Sequence, residues 1–370
     1  MRTIAVVETP KAEQYVFSED HPLRPERFLW ALDLARAVGV LQEADRVEGR
    51  PADPAFVAEI HDPRYVEGVR MLSEGFRLAE MLDYGFGLSD NPPFPGMFEA
   101  SLAVVGGSIT AAETVINGAP VAINLAGGLH HAKRAQASGF CIFNDPAIAI
   151  HVLKRRFRRI MYLDIDAHHG DGVQWIYYED PTVLTVSLHE SGRYLYPGTG
   201  HSNEIGAGPG AGYCVNLPME QYTGDDVWWW AFEQVVPRLF EWFRPEVLVL
   251  QMGCDAHFAD PLTHLQLTVQ GWLRAIQWVR SCDIPVVALG GGGYALDAAA
   301  RMWTLALAVF KDIPLPQRLP EDHFLYQKSR SFFDLYPPEI PSGWRQVTRH
   351  FAEQVVEELR KQLTPYGIWK

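Results

Sequence analysis

The chain has 370 residues, 48% hydrophobic and 21% charged, the profile of a folded globular protein and not of a disordered or fibrous one. Its length allows one to three domains with sizeable cores. A formal net charge of −13 speaks against a nucleic-acid-binding surface and is compatible with cationic partners.

The opening MRTIAVVETP holds an apolar run too short for a secretory leader. Apolar runs elsewhere have strand length, so no membrane span is expected. Cys141, Cys214, Cys254 and Cys282 show no C-x-x-C spacing, which fits reduced thiols in a cytoplasmic protein.

In chain order, a first strand is expected at 3–7, followed by helices that include a long one over about 97–117. PVAINL (120–125) reads as the next strand. A helix then opens at NDPAIAI, with Asn144 as N-cap and Pro146 in the first turn. The strand series continues with RRIMYLDI (158–165), TVLTVSL (182–188), YCVNLP (213–218), EVLVLQMG (246–253) and IPVVALGG (284–291). Helical patterns fill 223–243, 268–281 and 295–310. Apolar strands without polar alternation, separated by helices, predict an α/β fold with a mainly parallel sheet covered on both faces. The Pro-rich stretches at 91–95 and 313–320 read as ordered loops, so residues 1–370 are expected to form one domain.

The segment RIMYLDIDAHHGDG (159–172) departs from an ordinary buried strand. It sets Asp164, Asp166 and His168 at alternate positions, with His169 and Asp171 close behind. Residues two apart on a strand project to the same side. Buried carboxylates in that arrangement demand a cation. Other strands end in comparable residues: His130 and His131 after PVAINLAGG, Asp255 after EVLVLQMGC, and Tyr294 after IPVVALGGGG. In a parallel sheet the functional crevice lies at these carboxyl ends.

Asp166, His168 and Asp255 therefore form a three-ligand set that leaves positions open, as a catalytic zinc requires. The plain alternative for DAHH alone is a satisfied polar strand end, and the histidine pair and Asp255 at neighbouring ends weigh against it. His130 and His131 are placed to accept and to donate a proton, with Asp164 and Asp171 orienting the imidazoles. Tyr294 follows four glycines and is suited to stabilise an oxyanion. GGGGYA also satisfies a dinucleotide-binding pattern, but no second strand follows with the acidic residue that reading needs.

The motifs HPLRPER, DNPPFPGMFE, GGLHHA, SGFCIFND, YLDIDAHHGDG, SLHE with YPGTG, QMGCDA and LGGGGY, in that order over about 20–310, resemble the zinc-dependent histone deacetylase superfamily. Within it the chain is similar to the bacterial acetoin-utilization-like branch near the class I enzymes. The resemblance implies an arginase/deacetylase fold with an eight-stranded sheet. It also implies zinc on Asp166, His168 and Asp255; oxygen-rich ligation by two aspartates also suits iron(II). It puts the proton-transfer pair on His130 and His131, backed by Asp164 and Asp171, and the transition-state tyrosine on Tyr294. Gly139 and Phe140, with Tyr196 opposite, match a channel for a lysine stem; the usual residue at the latter position is Phe. Asp90 matches the acid that holds a substrate backbone, and Leu262 a rim position. A structural potassium ion is implied at Asp164, Asp166, His168, Ser187 and Leu188.

The two-metal ureohydrolases of the same fold are a poorer match, because His169, Gly170 and Gly253 stand where further ligands would be needed. The expected activity is hydrolysis of acetyl or other acyl groups from lysine side chains of peptides or proteins. The alternatives are an acetylpolyamine amidohydrolase acting on small acylated amines, and a non-catalytic scaffold. Neither nucleic acid nor membrane is an expected partner.

Overall fold

The computed structural model describes residues 3–87, 90–337 and 339–369. The apolar runs form strands β1 (Ala5–Glu8), β2 (Arg46–Glu48), β3 (Val121–Asn124), β4 (Ile160–Asp164), β5 (Val183–Glu190), β6 (Cys214–Met219), β7 (Val247–Gln251) and β8 (Val286–Leu289). They make one eight-stranded sheet in the order β2-β1-β3-β8-β7-β4-β5-β6. Every strand pair in it is parallel, which sharpens the expected "mainly parallel" arrangement. β2 carries no apolar pattern that marks it in the sequence; it is a three-residue edge strand, RVE, paired among the described residues with β1 alone.

Alternation along the buried strands divides the core. Met161, Leu163, Leu248, Leu250, Val286 and Ala288 face one side. There they join the helices Asp225–Phe243, Val269–Ser281 and Leu296–Lys311. Ile160, Tyr162, Val247, Val249, Val287 and Leu289 face the other, against the helices Met97–Ile116 and Asp145–Leu153. Covering both faces removes the polar alternation that a half-exposed sheet would show.

Helix entry follows capping chemistry. Asn144 accepts from the Ala147 N–H, with Pro146 in the first turn of Asp145–Leu153. Thr268 likewise accepts from Gly271 at the start of Val269–Ser281.

One expectation needs correction and one element is added. Met97–Ile116 does reach the length and mean hydropathy of a membrane span, but 67% of that window is buried inside the fold, as suits a core helix between sheet and surface. A further helix, Ser342–Leu363, follows the last predicted element. It packs against the helix Asp225–Phe243 and strand β6.

Candidate active site

β4 ends at Asp164, whose register partners are Ser187 on β5 and Gln251 on β7. Asp166 and His168 therefore lie in the loop beyond the strand, not on it as the alternation argument assumed. The backbone turn still brings them to Asp255, which follows the end of β7. One donor atom from each of Asp166, His168 and Asp255 lies within 4.8 Å of the others, and all three residues are buried. His168 Nδ1 stands 2.8 Å from Asp255 Oδ2 and 3.2 Å from Asp166 Oδ1. Burial opposes charge on His168, yet the two carboxylates drive its imidazole well above the ordinary value. Burial, and Asp166 beside it, push Asp255 up to about 8. Two buried carboxylates converging on one imidazole nitrogen form a donor set made for a divalent cation.

Backbone and amide donors hold the carboxylates in place. Asp166 Oδ2 accepts from Gly292 N and Gln251 Nε2, each at 2.7 Å. Asp255 Oδ1 accepts from Ala167 N at 2.7 Å. The glycine-rich loop after β8 is required here for space: a Cβ on Gly292 would lie 2.0 Å from Asp255 Oδ2. Gly253, where a second metal would need an acid, has the same constraint. Its Cβ would lie 2.2 Å from Asp166 Oδ2.

His130 and His131 stand beside this cluster with Nε2 atoms 3.1 Å apart. His130 Nδ1 pairs with Asp164 Oδ2 at 2.7 Å, and His131 Nδ1 with Asp171 Oδ1 at 2.8 Å. Their environments separate them. Burial pulls His130 down, but Asp164 and Asp166 outweigh it and push the imidazole up to about 9. Burial and the neighbouring charge on His130 hold His131 at about 4. The two rings are thus held far apart in basicity, His130 the stronger base and His131 the weaker.

A slot of about 190 Å³ leads to the cluster, lined by Asp90, His131, Gly139, Phe140, His168, Leu195, Tyr196, Leu262 and Tyr294. Phe140 takes a positive φ of 68°, a conformation non-glycine residues rarely hold without local support. Tyr15 supplies part of that support, donating its hydroxyl to the Phe140 carbonyl at 2.8 Å. A Cβ on Gly139 would press on His131 at 2.5 Å and on Tyr196 at 2.8 Å. The Tyr196 hydroxyl, the departure from the usual Phe, is hydrogen-bonded to the Ser138 hydroxyl. The Tyr294 ring stands 5.9 Å from Phe140 and 6.4 Å from His168.

All the predicted site residues thus gather at one end of the sheet. Arg27 and Gln251 join them without having been assigned a part. Arg27 is buried, donates to the Gly291 carbonyl, and lies 6.0 Å from the Tyr294 ring centre. Both residues stand inside quoted motifs, HPLRPER and QMGCDA, which was the available signal. Their contacts are largely to backbone atoms and to distant residues, which spacing does not reveal.

A parallel α/β sheet with a buried Asp–His–Asp cluster, an adjacent His–His pair and an apolar slot defines the class of metal-dependent amidohydrolases. The sequence pattern for a histone deacetylase domain matches residues 21–310, and the chain belongs to the histone deacetylase family. It is 36% identical over 353 residues to the acetoin utilization protein AcuC of Bacillus subtilis, covering 93% of this chain and 90% of that one. It is 34% identical over 356 residues to human histone deacetylase 1, covering 94% and 72% respectively. The crystal structure of an HDAC homolog from Aquifex aeolicus superposes with a TM-score of 0.86 at 30% identity, over 98% of this chain and 100% of that one. Zinc-dependent deacetylation is the activity of this family.

Proposed function

We propose that the protein removes acetyl or related acyl groups from lysine side chains of peptides or proteins. The observation that carries this reading is the slot lined by Phe140 and Tyr196 together with His131, His168 and Tyr294, with Asp90 also among its lining. An apolar passage of that kind accepts a methylene stem and excludes bulkier groups.

Asp166, His168 and Asp255 would hold the metal, zinc or iron(II). When bound, it supplies Lewis-acid polarisation of the acyl oxygen and acidifies the attacking water. His131, neutral and lining the slot, accepts the water's proton at Nε2 and passes it to the departing lysine amine. His130, the more basic of the two and 3.1 Å away, would favour the electron-rich transition state when protonated, while Asp164 and Asp171 fix both rings from behind. Tyr294 donates its hydroxyl to the oxyanion as the carbonyl becomes tetrahedral. A structural potassium ion would be held by Asp164, Asp166, His168, Ser187 and Leu188; the register of β4 and β5 sets Ser187 beside Asp164. The four free thiols suit a reducing cytoplasm.

Asp90 would accept N–H bonds from a substrate backbone, which a free polyamine lacks, and Leu262 offers no charge for a second ammonium. The test is a panel of acyl-lysine peptides and acetylated polyamines assayed with metal-loaded enzyme, wild type and Asp90→Asn. Preference for the peptides, weakened by Asp90→Asn, is the expected result. Preference for acetylated spermidine or putrescine, or indifference to the Asp90 change, would move the protein to the polyamine class.

A further inference from the structure

We infer that Asp260 is the residue that positions Tyr294 for turnover, an inference that rests on the oxyanion role proposed for that tyrosine. Tyr294 follows Gly290, Gly291, Gly292 and Gly293, and Gly291 and Gly293 take φ values of +119° and +137°. Such a run lets the loop pass close to the carboxylates but gives the following residue little conformational restraint of its own. The restraint comes from another strand end. Asp260 lies in the loop after β7 and is buried, with a relative exposure of 7%. Its Oδ2 accepts the Tyr294 N–H at 2.7 Å, and its Oδ1 accepts the Leu262 N–H at 3.0 Å. One buried carboxylate thus binds the backbone of the tyrosine and the backbone of a residue that lines the slot.

The energetics favour a functional reading of this bond. A buried carboxylate costs desolvation and is retained when charge-assisted hydrogen bonds offset it. Asp260 does not belong to the Asp166–His168–Asp255 cluster. The backbone N–H it accepts belongs to the residue whose hydroxyl must meet a developing charge within a few tenths of an ångström. Asp260 acts through Tyr294, being neither a member of the Asp166–His168–Asp255 cluster nor among the residues that line the slot.

The experiment is a double-mutant cycle in full-length, metal-loaded enzyme with an acetyl-lysine peptide, measuring kcat, KM and metal content for Asp260→Asn, Tyr294→Phe and the pair. Asp260→Asn keeps the shape but turns one acceptor into an NH2 group, so kcat should fall roughly tenfold or more. Metal content and KM should stay near wild type. In the Tyr294→Phe background the same change should alter kcat by less than about twofold, because the hydroxyl it positions is already gone. Independent, multiplying losses in the double variant, or unchanged kcat in Asp260→Asn, would overturn the inference. If Asp260→Asn does not fold, Asp260→Ser, whose hydroxyl is a weaker and shorter acceptor, enters the same cycle. If Tyr294→Phe alone left turnover intact, the fault would lie in the proposed role of Tyr294 and not in the tether.

Discussion

His130 and His131 meet Nε2 to Nε2 at 3.1 Å, and each is braced at Nδ1 by its own buried aspartate. The pair is alike in its bracing and unlike in basicity: at His130 burial is outweighed by Asp164 and Asp166, whereas burial and then His130 lower His131. His131→Ala should lower kcat by about a hundredfold or more, the scale of a positioned proton acceptor. Asp171→Asn should produce a smaller loss with metal content intact. Steady-state kinetics with elemental analysis separates the two; a loss of metal in Asp171→Asn would mean the aspartate supports the fold of the cluster instead.

Gly292→Ala tests the space argument. The added methyl would lie 2.0 Å from Asp255 Oδ2 and 2.9 Å from Asp166 Oδ2, so a carboxylate must shift. Metal affinity should fall at least tenfold while circular dichroism stays close to wild type. Unchanged affinity in a zinc-binding titration would show that the loop after β8 yields at little cost.

A pH dependence of stability should come from His61. Its Nε2 accepts the Asn144 N–H at 3.0 Å, and Asn144 Nδ2 in turn donates to the carbonyls of His130 and Ala132. Burial holds the His61 imidazole down at about 4, below its ordinary 6.5. The unfolded chain therefore binds a proton first as pH falls. The contribution of His61 is complete above 6.5 and is lost between 6.5 and about 4, worth about 3 kcal/mol at most. Urea unfolding at pH 7 and pH 4.5 should show a smaller drop in His61→Gln than in wild type. Equal drops would remove His61 from the account.

Sequence reading reached the cluster because each member stands at the end of an apolar run, and sheet topology sends those ends to one edge. It misjudged the detail at Asp166 and His168, since strand alternation stops where β4 stops, at Asp164. Asp260 stayed hidden because its partners are backbone N–H groups, those of Tyr294 and Ala295 on a different strand end, which no spacing records. The C-terminal helix was legible and overlooked: Thr348, Ala352, Val355, Leu359 and Leu363 are its buried residues, at the three- and four-residue intervals of an amphipathic helix.

Metal stoichiometry of turnover tests the central claim, a single metal held by Asp166, His168 and Asp255, most directly. Enzyme stripped with a chelator should release no acetate from an acetyl-lysine peptide. Zinc added back should restore release in proportion until one equivalent per chain is present, and Asp255→Ala should recover nothing. Acetate release that persists in the stripped enzyme, or that needs two equivalents of metal, would contradict the account.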